Sequence, residues 1–490
     1  MSIGAPSGPS DIHFQKKQDG GITMWTPIHN RRIDVLVIGA GAAGVGAAIG
    51  AARNGATTLL VDVGPTVGGE LLTGMTIDGA VNARGELVVS GTLSEILEEC
   101  KAMDGLVGTF NDYRLIRYIC YDPEVMKMAI IKVMARYGVK LLLYTFADDV
   151  VVSGNRVTGV MVRNKAGQTL IEADSVIDCS GDGDIAVMAG AEFEIGAKDG
   201  DLQPISIMFR MSGVEAEPLL RFVREHPEYV AVGESEVIRD GRTDKELVES
   251  LYEQGQPCVF FKGNGPFLSD AIDRKEMFPT ALIMIQPTSG PRKEVCINST
   301  RVWNVDPLKT DQLSATMSPL FDQVWTCVNF LKNRVPGFEQ AYFAAVAPRL
   351  GIRETRRVLG EYVLTDEDVS TGRKFDDGIA KGCHHIDIHG RGRDQVRIPV
   401  ADGGSYDIPF RCLVPKGLDN VLVAGRCLSA TRAAQGTART MGPCIAMGTA
   451  AGTAAALQRT ENAENSFRDF PVARLREILK SQGSIIDGTH

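Results

Sequence analysis

Three groups of residues in this chain could do chemistry. The first is Gly39-Ala-Gly41-Ala-Ala-Gly44, which follows the apolar run Ile33 to Ile38. Gly39 permits a tight turn, Gly41 lets the backbone approach a pyrophosphate, and Gly44 lets a following helix pack closely on a sheet. The N-terminus of that helix presents N–H groups and partial positive charge to the anion. Asp62 closes the next apolar run, where a carboxylate accepts hydrogen bonds from a ribose. A turn flanked by two strands, with the acid in place, points to a bound dinucleotide.

The second group is Gly382-Cys-His-His-Ile-Asp-Ile-His389, which concentrates three of the seven histidines. Side chains alternate along an extended segment, so His385, Asp387 and His389 are expected on one face. An imidazole near its ordinary pKa accepts a proton from a hydroxyl or an α-carbon at neutral pH. A buried structural histidine is the competing reading. The third group is cationic. Arg349, Arg353, Arg356 and Arg357 fall on one face if that stretch is helical, and Arg432 and Arg439 follow later. Such guanidiniums orient a carboxylate, bind a phosphate or pair with acids such as Glu354 and Glu361. Ion pairing is the favoured reading of the first four, and Arg432 and Arg439 are the better substrate anchors.

These groups need elements to position them. Ile33 to Ile38 reads as a buried parallel strand, Ala42 to Asn54 as a helix of small residues stopped by Gly55, and Thr57 to Val61 as the second strand. Thr92 to Lys101 and Pro123 to Tyr137 read as helices, and Val139 to Leu143 as a third strand. Asp149 to Val152, Val157 to Val162 and Thr169 to Ala173 alternate as an antiparallel meander. Ser175 to Cys179 follows as a fourth buried strand, ending at Ser180-Gly-Asp-Gly183. From about Gly200 to Ile379 aromatic and charged residues increase, with Val259 to Lys262 and Thr280 to Gln286 as strand candidates. Asn420 to Ala424 is a last buried strand, and Cys444 to Leu457 a helix rich in Ala and Gly.

Particular stretches resemble a known family. Ile33 to Gly69, ending Val61-Asp-Val-Gly-Pro-Thr-Val-Gly-Gly69, resembles flavoproteins of the glutathione-reductase type with two dinucleotide-binding domains. Val176-Ile-Asp-Cys-Ser-Gly-Asp-Gly-Asp-Ile185 resembles their second FAD strand. Asp407 to Gly417, Asp419 to Ala430, and Arg349 to Arg357 with Gly360 to Leu364 closely resemble the FAD-dependent oxidoreductases that have one cofactor domain and one large insert. The matches cover roughly residues 33 to 190 and 340 to 460. The resemblance implies FAD as the cofactor, and with no compelling attachment motif in the sequence noncovalent binding is the default expectation. Gly39, Gly41, Ala43 and Gly44 would lie at the pyrophosphate, with Asp62, Val63, Gly69 and Glu70 beside them. Ser180, Gly181 and Asp182 come from the second FAD strand, and Gly425, Arg426, Gly442, Pro443 and Cys444 from the flavin end. There the N-terminus of the last helix would face the isoalloxazine pyrimidine edge, where negative charge accumulates on reduction. His389 matches a histidine common in the family, so the expected catalytic set is His389, His385, Arg432 and Arg439. The chain departs from the family at Asp62, more often Glu, at Arg432, often His, and at Met441-Gly-Pro-Cys444, usually Met-Pro-Thr-Cys.

The expected fold class is α/β: a Rossmann-like FAD-binding domain with a three-stranded β-meander, interrupted by a large mixed α/β substrate domain. Its expected parts are an extended leader at 1–30 (with Trp25 and Ile28 docked on the body), a first FAD part at 31–199 and a substrate or cap domain at 200–385. A second FAD part at 386–475 and a tail at 476–490 follow. A net charge of −9 argues against a nucleic-acid partner. The ten cysteines form no C-x-x-C pair and no Cys/His zinc spacing, so reduced thiols, no metal and a cytoplasmic setting are expected. Val35 to Ala52 is uncharged and long enough to suggest a membrane span, but its glycines divide it into strand, turn and helix. The first thirty residues lack the apolar segment of a signal peptide.

The expected activity is transfer of a hydride from a small organic substrate to flavin N5, as a dehydrogenase or an oxidase. One alternative is a flavin monooxygenase or double-bond reductase using NAD(P)H. A non-enzymatic binding relative is disfavoured because the glycines and the acid are kept. The partner is then a small-molecule substrate, and a homo-oligomer is compatible with the sequence.

Overall fold

A computed structural model describes residues 32–392, 394–462 and 466–488, so the expected leader, with Trp25 and Ile28, lies outside the described residues. The first strand, β1 (Ile33–Ile38), is an almost fully buried apolar run. It leads through the glycine turn into α1 (Ala42–Arg53), whose residues Ala42 to Ala51 are all buried. Gly55, at φ +82°, takes the chain out of the helix and into β2 (Thr58–Val61). The strand β3 (Lys140–Leu142) lies beside β2. Next come β4 (Phe146–Ser153), β5 (Arg156–Asn164) and β6 (Gly167–Asp178), paired antiparallel in sequence.

The expected runs Thr169 to Ala173 and Ser175 to Cys179 are one strand, β6. Its first half pairs antiparallel with β5, and from Ala173 onward it pairs parallel with β1. Nothing breaks the chain between the two runs; the neighbour changes while the strand continues. The last strand, β7 (Val421–Val423), pairs parallel with the far side of β6. The resulting order is β3-β2-β1-β6-β5-β4, with β7 beside β6, and the C-terminal ends of β2, β1, β6 and β7 lie next to one another.

The helix α2 (Met441–Asn462) packs on α1 through glycine on both sides. A Cβ at Gly46 or Gly50 would come within 2.4 or 2.5 Å of the carbonyl oxygens of Ile445 and Thr449. Reciprocally, a Cβ at Gly448 or Gly452 would lie 1.9 or 2.0 Å from the carbonyl oxygens of Ala43 and Ala47. Any side chain would therefore force the two backbones apart. This packing explains the uncharged Val35-to-Ala52 stretch: it is a core strand and a core helix. Among the described residues no helix is long and apolar enough to cross a membrane.

A second sheet is antiparallel, in the order Val259–Lys262, Leu282–Ser289, Glu294–Asn298, Phe209–Ser212, Tyr342–Val346. Its core joins Phe209, Phe261, Ile285 and Phe338 to Tyr118. Leu364, Val369, Ile379 and Cys383, expected in the insert, pack instead in the core of the first sheet with α1 and α2. The expected tail is likewise structured: Val472–Ser481 is a helix, and Leu479 and Ile486 are buried in that core. The Arg349–Arg357 stretch is not helical. Gly351 exchanges backbone hydrogen bonds with Ser206, and Arg356–Val358 pairs with Phe193–Ile195 as a strand.

The glycine contact makes a direct prediction. Gly452→Ala should lower stability by about 1–3 kcal/mol, because one methyl group meets a backbone oxygen that cannot rotate away. Gly290→Ala, where a Cβ would meet nothing within 4 Å, should stay within about 0.5 kcal/mol of wild type. Chemical denaturation of the two variants checks the difference.

Candidate active site

At the adjacent C-terminal strand ends lies a cavity of about 660 Å³, within the range of small-molecule sites. It is lined by Asp62 and Val63 after β2, Gly39 to Ala43 after β1, Ser180 to Asp182 after β6, and Gly425 and Arg426 after β7. Gly39 has φ +96°, and a Cβ there would strike the Cys179 carbonyl at 2.3 Å. A Cβ on Gly44 would sit 1.7 Å from the Gly39 oxygen, so both glycines are required by the backbone itself. Gly41 differs: a Cβ there would meet nothing within 4 Å. Its bare Cα faces the open cavity at the first turn of α1, where helix N–H groups lack intrahelical partners. The first turn of α2 reaches the same cavity through Met441 and Cys444.

Side chains brace this rim. Asp62 accepts hydrogen bonds from the Ala40 and Gly64 N–H groups, at 2.5 and 2.6 Å. Buried Asp178 accepts from the Ser180 hydroxyl at 2.6 Å and from the Ala186 N–H at 3.0 Å, shaping the turn after β6. The Arg426 guanidinium donates to the Gly181 and Ile352 carbonyls and to Asp182 at 2.6 Å. Its charge is committed to that clamp. Burial opposes ionisation of Asp182, but Arg426 holds the carboxyl below its ordinary range.

His384, Asp387, His389, Arg353 and Arg439 line the remaining wall. His389 Nε2 and Asp387 Oδ2 are 2.8 Å apart, and the other carboxylate oxygen of Asp387 accepts from Gln395. Contrary to the expected imidazole near its ordinary pKa, burial pushes His389 down to about 3, against the pull of Asp387 and with Arg353 adding to the depression. Burial opposes the Asp387 charge too, yet the bond to His389 holds its carboxyl well below the usual range. The pair is therefore a neutral imidazole donating Nε2–H to a carboxylate, which leaves Nδ1 as a lone-pair acceptor. That buried Nδ1 has no partner among the described residues. Asp78 lines the same cavity, accepts from the Thr76 hydroxyl at 2.7 Å and lies 3.9 Å from His384 Nε2. Burial, with Asp112 and Asp387 adding to it, raises Asp78 to about 7.

Residues 34–479 match the family described as FAD dependent oxidoreductase. The chain belongs to that family. Solved structures similar to it include a geranylgeranyl bacteriochlorophyll reductase-like protein of Thermoplasma acidophilum, at 14% identity over 92% of this chain and 84% of that chain, with a TM-score of 0.45. Another is the flavin-dependent brominase Bmp2, at 12% identity over 91% of this chain and 83% of that one, with a TM-score of 0.47.

The residues of this FAD-dependent oxidoreductase fit its cofactor. The open space over Gly41 and the two helix N-termini suit a pyrophosphate and an electron-rich ring edge. Glu70 and Gly69 line the cavity, with Glu70 Oε1 3.3 Å from Arg349 Nε. Gly442 and Pro443 do not line it; they wedge α2 against Ala80 and Gly79. Cys444 does; burial raises its thiol to about 12 and its Sγ donates to the Arg439 carbonyl, which keeps it protonated.

Two expected catalytic residues lie elsewhere. His385 is outside the cavity lining, its ring stacked on His384 at 4.0 Å. Extended pairing begins only at Ile386, so the alternation that places Asp387 with His389 does not reach back to it. Arg432 is outside as well, in a two-pronged pair with buried Glu354 at 2.7 and 2.9 Å. Asp78, His384 and Arg353 were not in the expected set. A lone acid in Thr76-Ile-Asp-Gly79 carries no motif, and ion pairing is the favoured reading of Arg353, whose stretch is not helical.

Two outcomes are expected. Gly41→Val fills only open space, so it should fold with the unfolding midpoint of the wild-type apoprotein but purify without flavin colour. Because the folded-state pKa of Asp78 is raised from 3.8 to about 7, the native state binds its proton more tightly than the unfolded chain does. Stability of the apoprotein should therefore fall as pH rises from about 4 to about 7, and Asp78→Asn should flatten that slope. Unfolding free energies measured across this interval check it.

Proposed function

We propose that this oxidoreductase dehydrogenates a small organic substrate, with His389 removing the proton that accompanies the hydride. Gly39, Gly41 and Ala43 would hold the FAD pyrophosphate, Asp62 the ribose, and the first turn of α2 the pyrimidine edge. Bound FAD supplies a two-electron acceptor that takes a hydride at N5. The observation that carries the reading is the buried Asp387–His389 pair on the cavity wall, with an unpartnered Nδ1.

His389 Nδ1 takes the proton from a substrate hydroxyl or amine while Asp387 stabilises the imidazolium that forms. The Gln203 side-chain oxygen accepts the His389 backbone N–H at 3.2 Å and fixes the ring's position along its strand. Below pH 7 Asp78 carries a proton and donates a hydrogen bond to a substrate oxygen, orienting it towards His389. The burial that keeps both groups uncharged excludes the water that would compete for them.

Anaerobic mixing of the purified holoenzyme with a panel of alcohols, amines and hydroxy acids tests this through loss of flavin absorbance. With the substrate so found, His389→Gln should slow bleaching by about 10²–10⁴-fold while retaining bound FAD. Rapid bleaching by NADPH, with none by any member of the panel, would contradict the proposal and favour a monooxygenase or double-bond reductase.

A further inference from the structure

The wall around His389 holds more positive charge than its own acids neutralise. Arg301, Arg353 and Arg439 come from three segments far apart in sequence, and among the described residues none of them makes an ion pair. Arg301 is 2% exposed and Arg353 6% exposed. A buried guanidinium without a carboxylate is costly, and each would ordinarily be matched by an acid. The nearby acids are already engaged. Glu354 is paired with Arg432, Glu70 lies against Arg349, and Asp182 with Arg426. Asp387 alone faces all three cations, and it is shared with His389 and Gln395.

The hydrogen-bonding inventory is lopsided in the same sense. Arg301 Nε and Nη1, Arg439 Nε and Gln203 Nε2 are buried donors with no acceptor among the described residues. Arg353 donates through Nη1 to the Pro204 carbonyl at 2.7 Å and to the Ser206 hydroxyl at 3.1 Å, which pins its fork against the cavity wall. Guanidiniums have no acceptor capacity, so a group that completes this wall must be rich in acceptors and negatively charged. The cluster is set apart from the phosphate-binding features. The pyrophosphate cradle is built from backbone at the first turn of α1, whereas Arg439 is the C-cap of the Arg432–Ala438 helix. A helix C-terminus adds partial negative charge, which disfavours a doubly charged phosphate and tolerates a singly charged carboxylate.

We infer that the substrate is an organic acid, its carboxylate held by Arg353 and Arg439 on the cavity wall with Arg301 adding charge from outside the lining. The inference rests on the dehydrogenation reading for what happens to the substrate, but not for the binding of its carboxylate. Arg353, Arg439, His389 and Asp78 line the same cavity, so a carboxylate held by the two arginines keeps its neighbouring hydroxyl or amine in the space that His389 and Asp78 share. The arginines thus select the substrate, and the histidine acts on the group next to its charge.

Calorimetric titration of the holoenzyme tests this with malonate, succinate and benzoate, each beside its uncharged amide, and with methyl phosphate. At least one carboxylate should bind about tenfold or more tightly than its amide, and Arg439→Gln should weaken that carboxylate by about 10–100-fold. The same substitution should leave amide binding and FAD content unchanged. If Arg439→Gln does not fold, Arg301→Met, which removes charge outside the lining, should weaken the carboxylate selectively. Carboxylates binding no better than amides would overturn the inference, as would tighter binding of methyl phosphate. Loss of FAD from the variant with an intact carboxylate preference would also overturn it, because the cations would then serve the cofactor. Carboxylates that bind selectively while no organic acid bleaches the flavin would sustain the inference and remove the dehydrogenation reading. Bleaching by uncharged substrates alone would do the reverse.

Discussion

The contact between α1 and α2 without intervening side chains is the constraint on which the rest depends. Gly46 and Gly50 on one helix, and Gly448 and Gly452 on the other, let backbone meet backbone. The contacts advance together along both helices, Gly448 on Ala43 and Gly452 on Ala47, so the two run parallel and their first turns open on one cavity. A single helix N-terminus offers about half a positive charge. Two at one cavity set up a fixed positive field at each of two places on its wall, which suits an anionic cofactor. The parallel strands contribute the other half of the arrangement, since their adjoining C-terminal ends present the Gly39, Ser180 and Gly425 turns side by side.

Around that frame the polar groups divide into two kinds. Asp62, Asp178, Asp182 and Arg426 are satisfied by backbone and by one another, and they hold the loops in place. Asp78, His389, Arg353, Arg439 and Arg301 are buried with charges or lone pairs incompletely matched. Groups of the first kind stabilise the folded cavity. Those of the second kind are stabilised only when something else completes them, which is the physical signature of a site built for a ligand. The second sheet contributes to the same wall: Asn298, at the end of one of its strands, and Met208, just before another, line the cavity, and Arg301 lies three residues beyond Asn298.

Much of the frame was legible because it is dictated locally. Gly39 and Gly44 must be glycine for reasons of backbone contact, and the apolar runs of β1 and β2 have the length and composition of buried strands. Where meaning depends on a distant partner, local pattern failed. The split of β6 into two runs came from a change of neighbour at Ala173, invisible in the strand itself. The arginines at 349 to 357 have helical spacing, but Gly351 is claimed by Ser206 and Arg356–Val358 by Phe193–Ile195. Arg432 looked like an anchor until Glu354, far away in sequence, took its charge. His389 and Asp387 meet because the two-residue period holds over one short strand; His385 lies before that strand and stacks on His384 instead.

The most direct measurement is a crystal structure of the holoenzyme with FAD bound. The pyrophosphate is expected over Gly41, the isoalloxazine against the first turn of α2, and His389 Nδ1 facing the space in front of the ring. An isoalloxazine placed so that His389, Arg353 and Arg439 lie behind protein, away from its reactive face, would contradict this arrangement.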